Sequence, residues 1–183
     1  MKKFEEKTIS SEKVFAGKVI SLQVDEVVLP DGKHSKREIV KHPGAVAVIA
    51  ITPDNKMIMV EQYRKPLERS VVEIPAGKLE KGEEPLYCAA RELEEETGYE
   101  SKKMEHLISF YTSPGFADEL IHIFLAEDLV KKENAAAGDD DEFVEVLELT
   151  LDEAEEYVRM GKIYDAKTAY AVQFMQLRKA LNR

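Results

Sequence analysis

The spacing of hydrophobic and polar positions indicates a β-rich segment at the start of the chain. Apolar and polar side chains alternate at 19–24, and a return strand is predicted at 37–41 after a Pro-Asp-Gly turn at 30–32. The segment 1–43 has too few apolar positions for a core of its own. We therefore expect its strands to pack against another surface.

The remainder of the chain alternates between strand and helix signals. The run AVAVIAI at 45–51 is typical of a buried strand. Further strands are predicted at 56–63, 71–75, 104–112, 120–126 and 143–149, helices at 85–97, 150–160 and 165–181, and a polar loop at 127–142. Strands mixed with three helical segments favour an α/β or α+β sandwich.

One predicted helix has an unusual number of carboxylates. Between Pro85 and Gly98, which suit the two ends of a helix, an apolar stripe runs at helical spacing with glutamates beside it. The stripe is Leu86, Ala89, Ala90 and Leu93, and the glutamates are Glu92, Glu95 and Glu96. Like charges four residues apart destabilise a helix by roughly 0.2–0.5 kcal/mol per pair. Because Mg²⁺ takes oxygen ligands, a divalent cation would supply the missing compensation.

Composition limits the classes of partner and compartment. The formal net charge of −10 over 183 residues argues against nucleic acid or an anionic membrane as a partner. We find no signal peptide and no apolar run of about 18 residues, so a cytoplasmic protein is expected. Cys88 is the only cysteine, which excludes an intrachain disulfide, and we expect it to be buried or half-buried.

Residues 77–99 resemble the Nudix hydrolase box at every position that this motif specifies. The matching residues are Gly77, Glu83, Arg91, Glu92, Leu93, Glu95, Glu96, Gly98 and Tyr99. The resemblance implies a Nudix-type α/β/α sandwich with a mixed sheet. It also implies a reaction in which water attacks a pyrophosphate with the help of Mg²⁺, or of Mn²⁺ or another divalent cation.

The same resemblance implies roles for single residues of the box. The implied metal ligands are Glu92, Glu96 and the carbonyl oxygen of Ala76. Gly77 would let the chain turn so that this oxygen points at the metal. Glu95 would support or join these ligands, or act as a catalytic carboxylate. Glu83 and Arg91 would form an ion pair that holds the loop to the helix.

Features outside the box resemble the ADP-ribose pyrophosphatase branch of the family. The acidic loop GDDDEFVEV at 138–146 resembles the loop that supplies a late carboxylate in that branch. Glu142 is favoured as catalytic base or extra metal ligand, followed by Asp140 and Asp141. The resemblance implies substrate-binding roles for Arg37, Glu38, Arg64, Ser113, Pro114, Gly115 and Glu119. The chain has no Trp, so a Tyr or Phe would have to stack on adenine, and which one does so is left open.

The sequence thus predicts Mg²⁺-dependent hydrolysis of ADP-ribose to AMP and ribose 5-phosphate. Another nucleoside diphosphate sugar or a dinucleotide is the alternative substrate. A module that binds ADP-ribose without hydrolysing it is disfavoured by the intact glutamate set. We expect 1–43 to be an extension and 44–183 the hydrolase domain. A homodimer with exchanged N-terminal strands, in which Arg37 helps to complete the substrate site, is expected.

Overall fold

The computed structural model describes residues 3–132 and 143–181, and the chain divides into two compact units. The first unit contains the described part of Met1–Gly44 together with Phe110–Ile121. The second contains Ala45–Ser109 and the described part of His122–Arg183. Within the described residues, no helix combines the length and the apolar character needed to cross a membrane.

The first unit contains a three-stranded antiparallel sheet. Its strands are Lys7–Ala16 (β1), Ser21–Val28 (β2) and His34–Lys41 (β3), in the order β1-β2-β3. The sequence predicted β2 and β3 but missed β1, because all ten residues of β1 are exposed and no apolar alternation marks it. Among the described residues before Ala45, Val27 is the one buried hydrophobic side chain, which agrees with the predicted lack of a core.

Side-chain hydrogen bonds to a buried carboxylate reinforce the backbone pairing of β1 with β2. Asp25 on β2 is 6% exposed and accepts hydrogen bonds from Ser11 Oγ at 2.6 Å and from Gln23 Nε2 at 2.8 Å. A buried charge is tolerated when it is hydrogen-bonded in this way. Because these contacts are polar, they leave no hydrophobic pattern in the sequence.

A second sheet has seven strands, and most of their residues belong to the second unit. The strands are Ala45–Ile51 (β4), Met57–Arg64 (β5), Arg69–Glu73 (β6), Ala76–Lys78 (β7), Tyr99–Tyr111 (β8), Leu120–Lys131 (β9) and Val144–Leu149 (β10). Five follow the order β10-β5-β4-β9-β8, with β6 paired to β5 and β7 paired to β4. β8 begins five residues earlier than predicted, and β9 continues into the predicted polar loop. Residues 133–142 of that loop lie outside the described residues.

Helices lie on both faces of this sheet. They are Pro85–Thr97 (α1), Leu151–Arg159 (α2) and Ala166–Ala180 (α3). One hydrophobic cluster contains Cys88, Ala89 and Leu93 of α1 with Val46, Val48 and Ala50 of β4 and Phe124 of β9. Leu125 points to the opposite face and lines a groove with Phe174 and Leu177 of α3. This arrangement confirms the predicted sandwich.

The helix ends follow their sequence signals. Gly98 ends α1 with φ of +73°, a conformation that glycine adopts without strain. Thr150 and Glu153 form the predicted capping box at the start of α2. The side chain of Asp165 accepts a hydrogen bond from the Thr168 N–H at the start of α3. Local chemistry therefore fixes where all three helices begin or end.

Candidate active site

The buried face of α1 differs from the predicted apolar stripe. Leu86 and Ala90 are exposed, whereas Glu92 and Glu96 are only 9% and 6% exposed. The helix is thus rotated about its axis relative to the prediction, and two carboxylates take inward positions. Burial of a charge is costly unless polar partners surround it, so these glutamates depend on their immediate contacts.

The main chain at 76–77 provides contacts for both glutamates. The Ala76 N–H donates to Glu96 Oε2 at 2.9 Å. The Glu92 carboxylate lies directly on Gly77, where an added Cβ would stand 1.9 Å from Glu92 Oε1. The reason expected for Gly77, a free turn of the chain, is wrong, because its φ lies outside the left-handed region. A glycine is needed here because the Glu92 carboxylate occupies the space of a side chain.

Arg91 connects the loop before α1 to the carboxylates on the helix. Its Nε lies 3.1 Å from Glu83 Oε1, so the predicted ion pair is present. Its Nη1 lies 2.8 Å from Glu95 Oε2 and 2.9 Å from Glu92 Oε1. The hydrogen bond from Arg91 is the main cause that lowers the pKa of Glu83 from 4.5 to about 2. One guanidinium therefore fixes the loop and orients two carboxylates of the box.

Cationic side chains offset more of the negative charge on α1 than the sequence indicated. Besides Arg91, Lys132 contributes a cation, with its Nζ 2.7 Å from Glu94 Oε1. The sequence indicated a divalent cation as the compensation and did not identify these two side-chain contacts. Glu83 and the four glutamates of α1 nevertheless outnumber these two cations, and the surplus negative charge favours a bound cation.

The donors at the box fit a hard divalent cation. Glu92, Glu96 and the main chain at Ala76 offer oxygen atoms, which Mg²⁺ prefers. Among residues 3–132 and 143–181, no three His, Cys, Asp or Glu side chains group closely enough to hold a metal ion. Water or substrate phosphate would therefore complete the coordination, as is usual for Mg²⁺. Glu142, Asp140 and Asp141 lie outside the described residues.

Cys88 is a structural residue on the same helix. It is fully buried in the cluster beneath α1, as predicted, and its Sγ lies 3.4 Å from the carbonyl oxygen of Lys78. Burial is the main cause that raises the pKa of the Cys88 thiol to about 12. The thiol therefore stays neutral near pH 7 and is a poor nucleophile.

Arg64, a predicted substrate group, ends β5 in contact with a buried carboxylate. Its Nε donates to Glu73 Oε2 at 2.6 Å, and Glu73 is 4% exposed. Glu73 was not among the predicted site residues, although a charged residue inside the apolar run VVEIP is a usable signal. The other oxygen of Glu73 accepts a hydrogen bond from Lys167 Nζ at 2.7 Å. Lys167 is 94 residues away, and no local pattern indicates this pairing.

The other predicted substrate residues belong to the first unit. Arg37 on β3 donates to both carboxylate oxygens of Glu6, at 2.8 and 2.6 Å, and this contact raises the pKa of Arg37. Glu38 follows it directly and is exposed. Since successive side chains of a strand point to opposite faces, β3 presents Arg37 and Glu38 on different faces of its sheet.

The segment 113–119 forms a turn that is hydrogen-bonded to the end of β3. Within it, the Ser113 carbonyl accepts from the Ala117 N–H at 2.9 Å, and Pro114 and Gly115 lie between the two. Val40 N–H donates to the Phe116 carbonyl at 2.8 Å. Asp118 and Glu119 then follow: Asp118 Oδ2 lies 2.8 Å from Lys41 Nζ, and Glu119 accepts from the Thr112 hydroxyl. The structure therefore brings the predicted segment and β3 together in one unit.

Comparisons with known proteins agree with this box and fold. Residues 41–167 match the NUDIX domain, and residues 6–40 match the nucleoside diphosphate sugar hydrolase N-terminal domain. The chain therefore belongs to the Nudix family, which confirms the resemblance noted from its box. Proteins of this family that act as hydrolases generally use divalent cations.

Particular relatives are similar over almost the whole chain. A methanol dehydrogenase activator of Bacillus methanolicus is 68% identical over 180 residues, covering 98% of this chain and 97% of the relative. An ADP-ribose pyrophosphatase of Bacillus subtilis (strain 168) is 64% identical over 181 residues, covering 99% and 98%. The crystal structure of an ADP compounds hydrolase superposes with a TM-score of 0.85 over 98% of this chain and 97% of that one. At 19% identity, that likeness shows the shared fold.

Proposed function

We propose that this chain is a Mg²⁺-dependent ADP-ribose pyrophosphatase that hydrolyses ADP-ribose to AMP and ribose 5-phosphate. The proposal rests on the burial of Glu92 and Glu96 against the main chain of Ala76 and Gly77, which groups oxygen donors beside a helix. The choice of ADP-ribose is supported by the 64% identity to the Bacillus subtilis protein of that name over nearly the full chain.

In the proposed reaction, the residues of the box hold the cation and orient the carboxylates. A divalent cation, when bound, neutralises phosphate oxygens and lowers the pKa of water. The proposed ligands are Glu92, Glu96 and the Ala76 carbonyl oxygen. Arg91 keeps Glu92 and Glu95 in place through its contacts at 2.9 and 2.8 Å.

The proposed chemical step exchanges one phosphorus–oxygen bond for another. The water oxygen forms a bond to phosphorus, the bridging P–O bond breaks, and a carboxylate accepts the proton of the water. We assign that carboxylate to Glu142, which is also a proposed metal ligand, with Asp140 and Asp141 as alternatives. Glu95 is the other proposed catalytic carboxylate.

The proposed substrate-binding residues are Arg37, Glu38, Arg64, Ser113, Pro114, Gly115 and Glu119. Arginine suits phosphate because its guanidinium presents several donors in a fixed geometry. The terminal nitrogens of Arg64 would bind the phosphate, since its Nε is the atom that contacts Glu73. Arg37 would exchange its pairing with Glu6 for a phosphate when substrate binds.

We further propose a cytoplasmic homodimer formed through residues 1–43, with the N-terminal strands exchanged. The support is β1, which lies at the edge of its sheet with every residue exposed. Ile9, Val14 and Phe15 are more than half exposed on this strand. An exposed edge strand with apolar side chains pairs readily with another chain.

Two observations favour other functions. The N-terminal match to a domain of nucleoside diphosphate sugar hydrolases is compatible with a different sugar nucleotide or a dinucleotide as substrate. The 68% identity to a methanol dehydrogenase activator favours activation of such a dehydrogenase. A module that binds ADP-ribose without hydrolysing it has no use for the complete set of box glutamates.

A substrate panel with Mg²⁺, in which products are identified, tests the proposed function. It contains ADP-ribose, other nucleoside diphosphate sugars, a dinucleotide and nucleoside triphosphates. We expect ADP-ribose to be hydrolysed most efficiently, with AMP and ribose 5-phosphate as products. Dominant hydrolysis of triphosphates contradicts the proposed substrate. Stimulation of methanol dehydrogenase by a protein that hydrolyses none of the panel favours the activator function.

A further inference from the structure

A buried carboxylate is shared between two cations at the end of β6. Glu73 Oε2 accepts a hydrogen bond from Arg64 Nε at 2.6 Å, and Glu73 Oε1 accepts one from Lys167 Nζ at 2.7 Å. Lys167 also donates to Asp165 at 2.9 Å, and Asp165 caps α3. The arrangement links β5, β6 and α3. Because a buried ion pair is often no more stable than apolar residues of similar size, stability alone does not explain it.

The two cations are exposed to different degrees. The Lys167 side chain is 12% exposed and lies inside the structure, whereas the Arg64 side chain is 40% exposed. Among the described residues, the hydrogen bonds of the Arg64 guanidinium involve only its Nε. Its two terminal nitrogens therefore retain N–H donors for a ligand, and a guanidinium presents such donors in a plane that suits a phosphate.

The position of Glu73 in the chain places this arrangement near the box. Glu73 precedes Ala76 by three residues, and three residues span at most about 11 Å. Ala76 contacts the box glutamate Glu96 through its N–H. The Cα atoms of Glu73 and Ala76 are thus at most about 11 Å apart, so Glu73 lies in the stretch of chain that leads into the box.

We propose that Glu73 is a positioning residue, which holds the Arg64 guanidinium so that its terminal nitrogens bind a phosphate of the substrate. Lys167 fixes the second carboxylate oxygen, which prevents the carboxylate from rotating away from Arg64. The inference rests on the proposed hydrolysis of a nucleoside diphosphate sugar. It adds Glu73 and Lys167, which contact Arg64 or its partner and not the substrate.

A double-mutant cycle distinguishes positioning from general support of the fold. Arg64→Gln and Glu73→Gln are each expected to raise the KM for ADP-ribose about tenfold, as for the loss of one charge-assisted hydrogen bond. The value of kcat should change little, because binding to the ground and transition states weakens equally. The double variant should match Arg64→Gln alone, since Glu73 acts through Arg64. If the KM increase of the double variant equals the product of the two single increases, the proposal is overturned. An unchanged KM in Glu73→Gln overturns it as well.

The chain offers a matched control for this cycle. Glu127 on β9 also joins a lysine and an arginine, with Lys103 Nζ 2.5 Å from its Oε2 and Arg178 on its other oxygen. Glu127→Gln removes an ion pair of the same kind, so it should lower the unfolding temperature without raising the KM. If Glu127→Gln raises the KM as much as Glu73→Gln does, loss of any buried ion pair is sufficient to weaken substrate binding. The proposal is then wrong.

A second variant covers the case in which Glu73→Gln does not fold. Glu73→Asp retains the charge, but its side chain is one methylene shorter and cannot reach both Arg64 and Lys167. It should also raise the KM, and a normal KM in this variant counts against positioning. Absence of ADP-ribose hydrolysis in the unaltered protein refutes the proposed function itself. Independent effects of Arg64 and Glu73 in an active enzyme refute only the positioning role.

Discussion

The contact between Gly77 and Glu92 shows how a missing side chain permits a functional arrangement. A Cβ on Gly77 would stand 1.9 Å from both Cδ and Oε1 of Glu92, a separation at which something must move. Because Glu92 is buried and also paired with Arg91, its carboxylate has little room to give way. The glycine therefore determines where the carboxylate lies.

Gly77→Ala should displace Glu92 and lower both stability and metal-dependent activity. We expect a loss of roughly 1–3 kcal/mol in the free energy of unfolding, which is typical of overpacking. Chemical denaturation and initial rates at saturating Mg²⁺ measure the two effects. Gly82→Ala is the control, because Gly82 has φ of +82° but no atom within 4 Å of an added Cβ. It should cost stability and leave activity near normal. Full activity in Gly77→Ala would disprove the displacement.

Glu83 should make stability depend on pH in the acidic range. Its pKa in the folded protein is about 2, below the ordinary 4.5, because Arg91 stabilises the ionised form. The carboxylate thus contributes its full stabilisation above pH 4.5, and this contribution is lost as the pH falls towards 2. Glu83→Gln should lower the free energy of unfolding at pH 7 and flatten its decline below pH 4.5. Urea denaturation at several pH values measures this, and an identical decline in both proteins contradicts it.

Most of the regular elements could be predicted because their signals are local. The buried strand β4 appears as an apolar run, and α1 is bounded by Pro85 and Gly98. β1 could not be predicted, because it has no buried face and is held by backbone pairing with β2 and a hydrogen bond from Ser11 to Asp25. The rotation of α1 was also missed, since hydrophobic spacing cannot indicate that two glutamates lie inward.

The site residues could be predicted only where they lie close together in the sequence. The spacing of the box identified Glu92, Glu96 and Arg91, because each belongs to one continuous stretch of the chain. The contacts of Arg64 could not be found, because they involve Glu73 and, through it, Lys167, 94 residues further on. Pairings at such separations follow from tertiary structure and leave no periodic pattern.

The whole chain is acidic, and it acts in our proposal on an acidic substrate. With a formal net charge of −10, the overall field opposes the approach of ADP-ribose. Attraction must therefore come from local groups, which are the proposed cation at the box and arginines such as Arg64. Raised salt should weaken the opposing long-range field and leave these short-range contacts largely intact.

The proposed dimer can be tested on the intact chain. Light scattering at micromolar concentration should give twice the mass of one chain. The double substitution Ile9→Lys and Phe15→Lys places charges on the exposed strand β1 and should yield a monomer. Lys13→Ala changes the same strand without adding charge and should remain dimeric. A monomeric, fully active unaltered protein refutes the dimer and the shared substrate site together.

A comparison of Glu96→Gln with Glu94→Gln tests our claim that the carboxylates of the box drive hydrolysis of ADP-ribose. Both variants remove one charge from α1, but Glu94 pairs with Lys132 and Glu96 contacts Ala76. We predict that Glu96→Gln lowers turnover with Mg²⁺ by more than about a hundredfold. Such a loss exceeds the roughly 10–100-fold loss that is typical when a residue contacts a metal ligand and not the metal itself. Glu94→Gln should retain most of its turnover, and both variants should fold. Near-normal turnover of Glu96→Gln at saturating Mg²⁺ would contradict the claim.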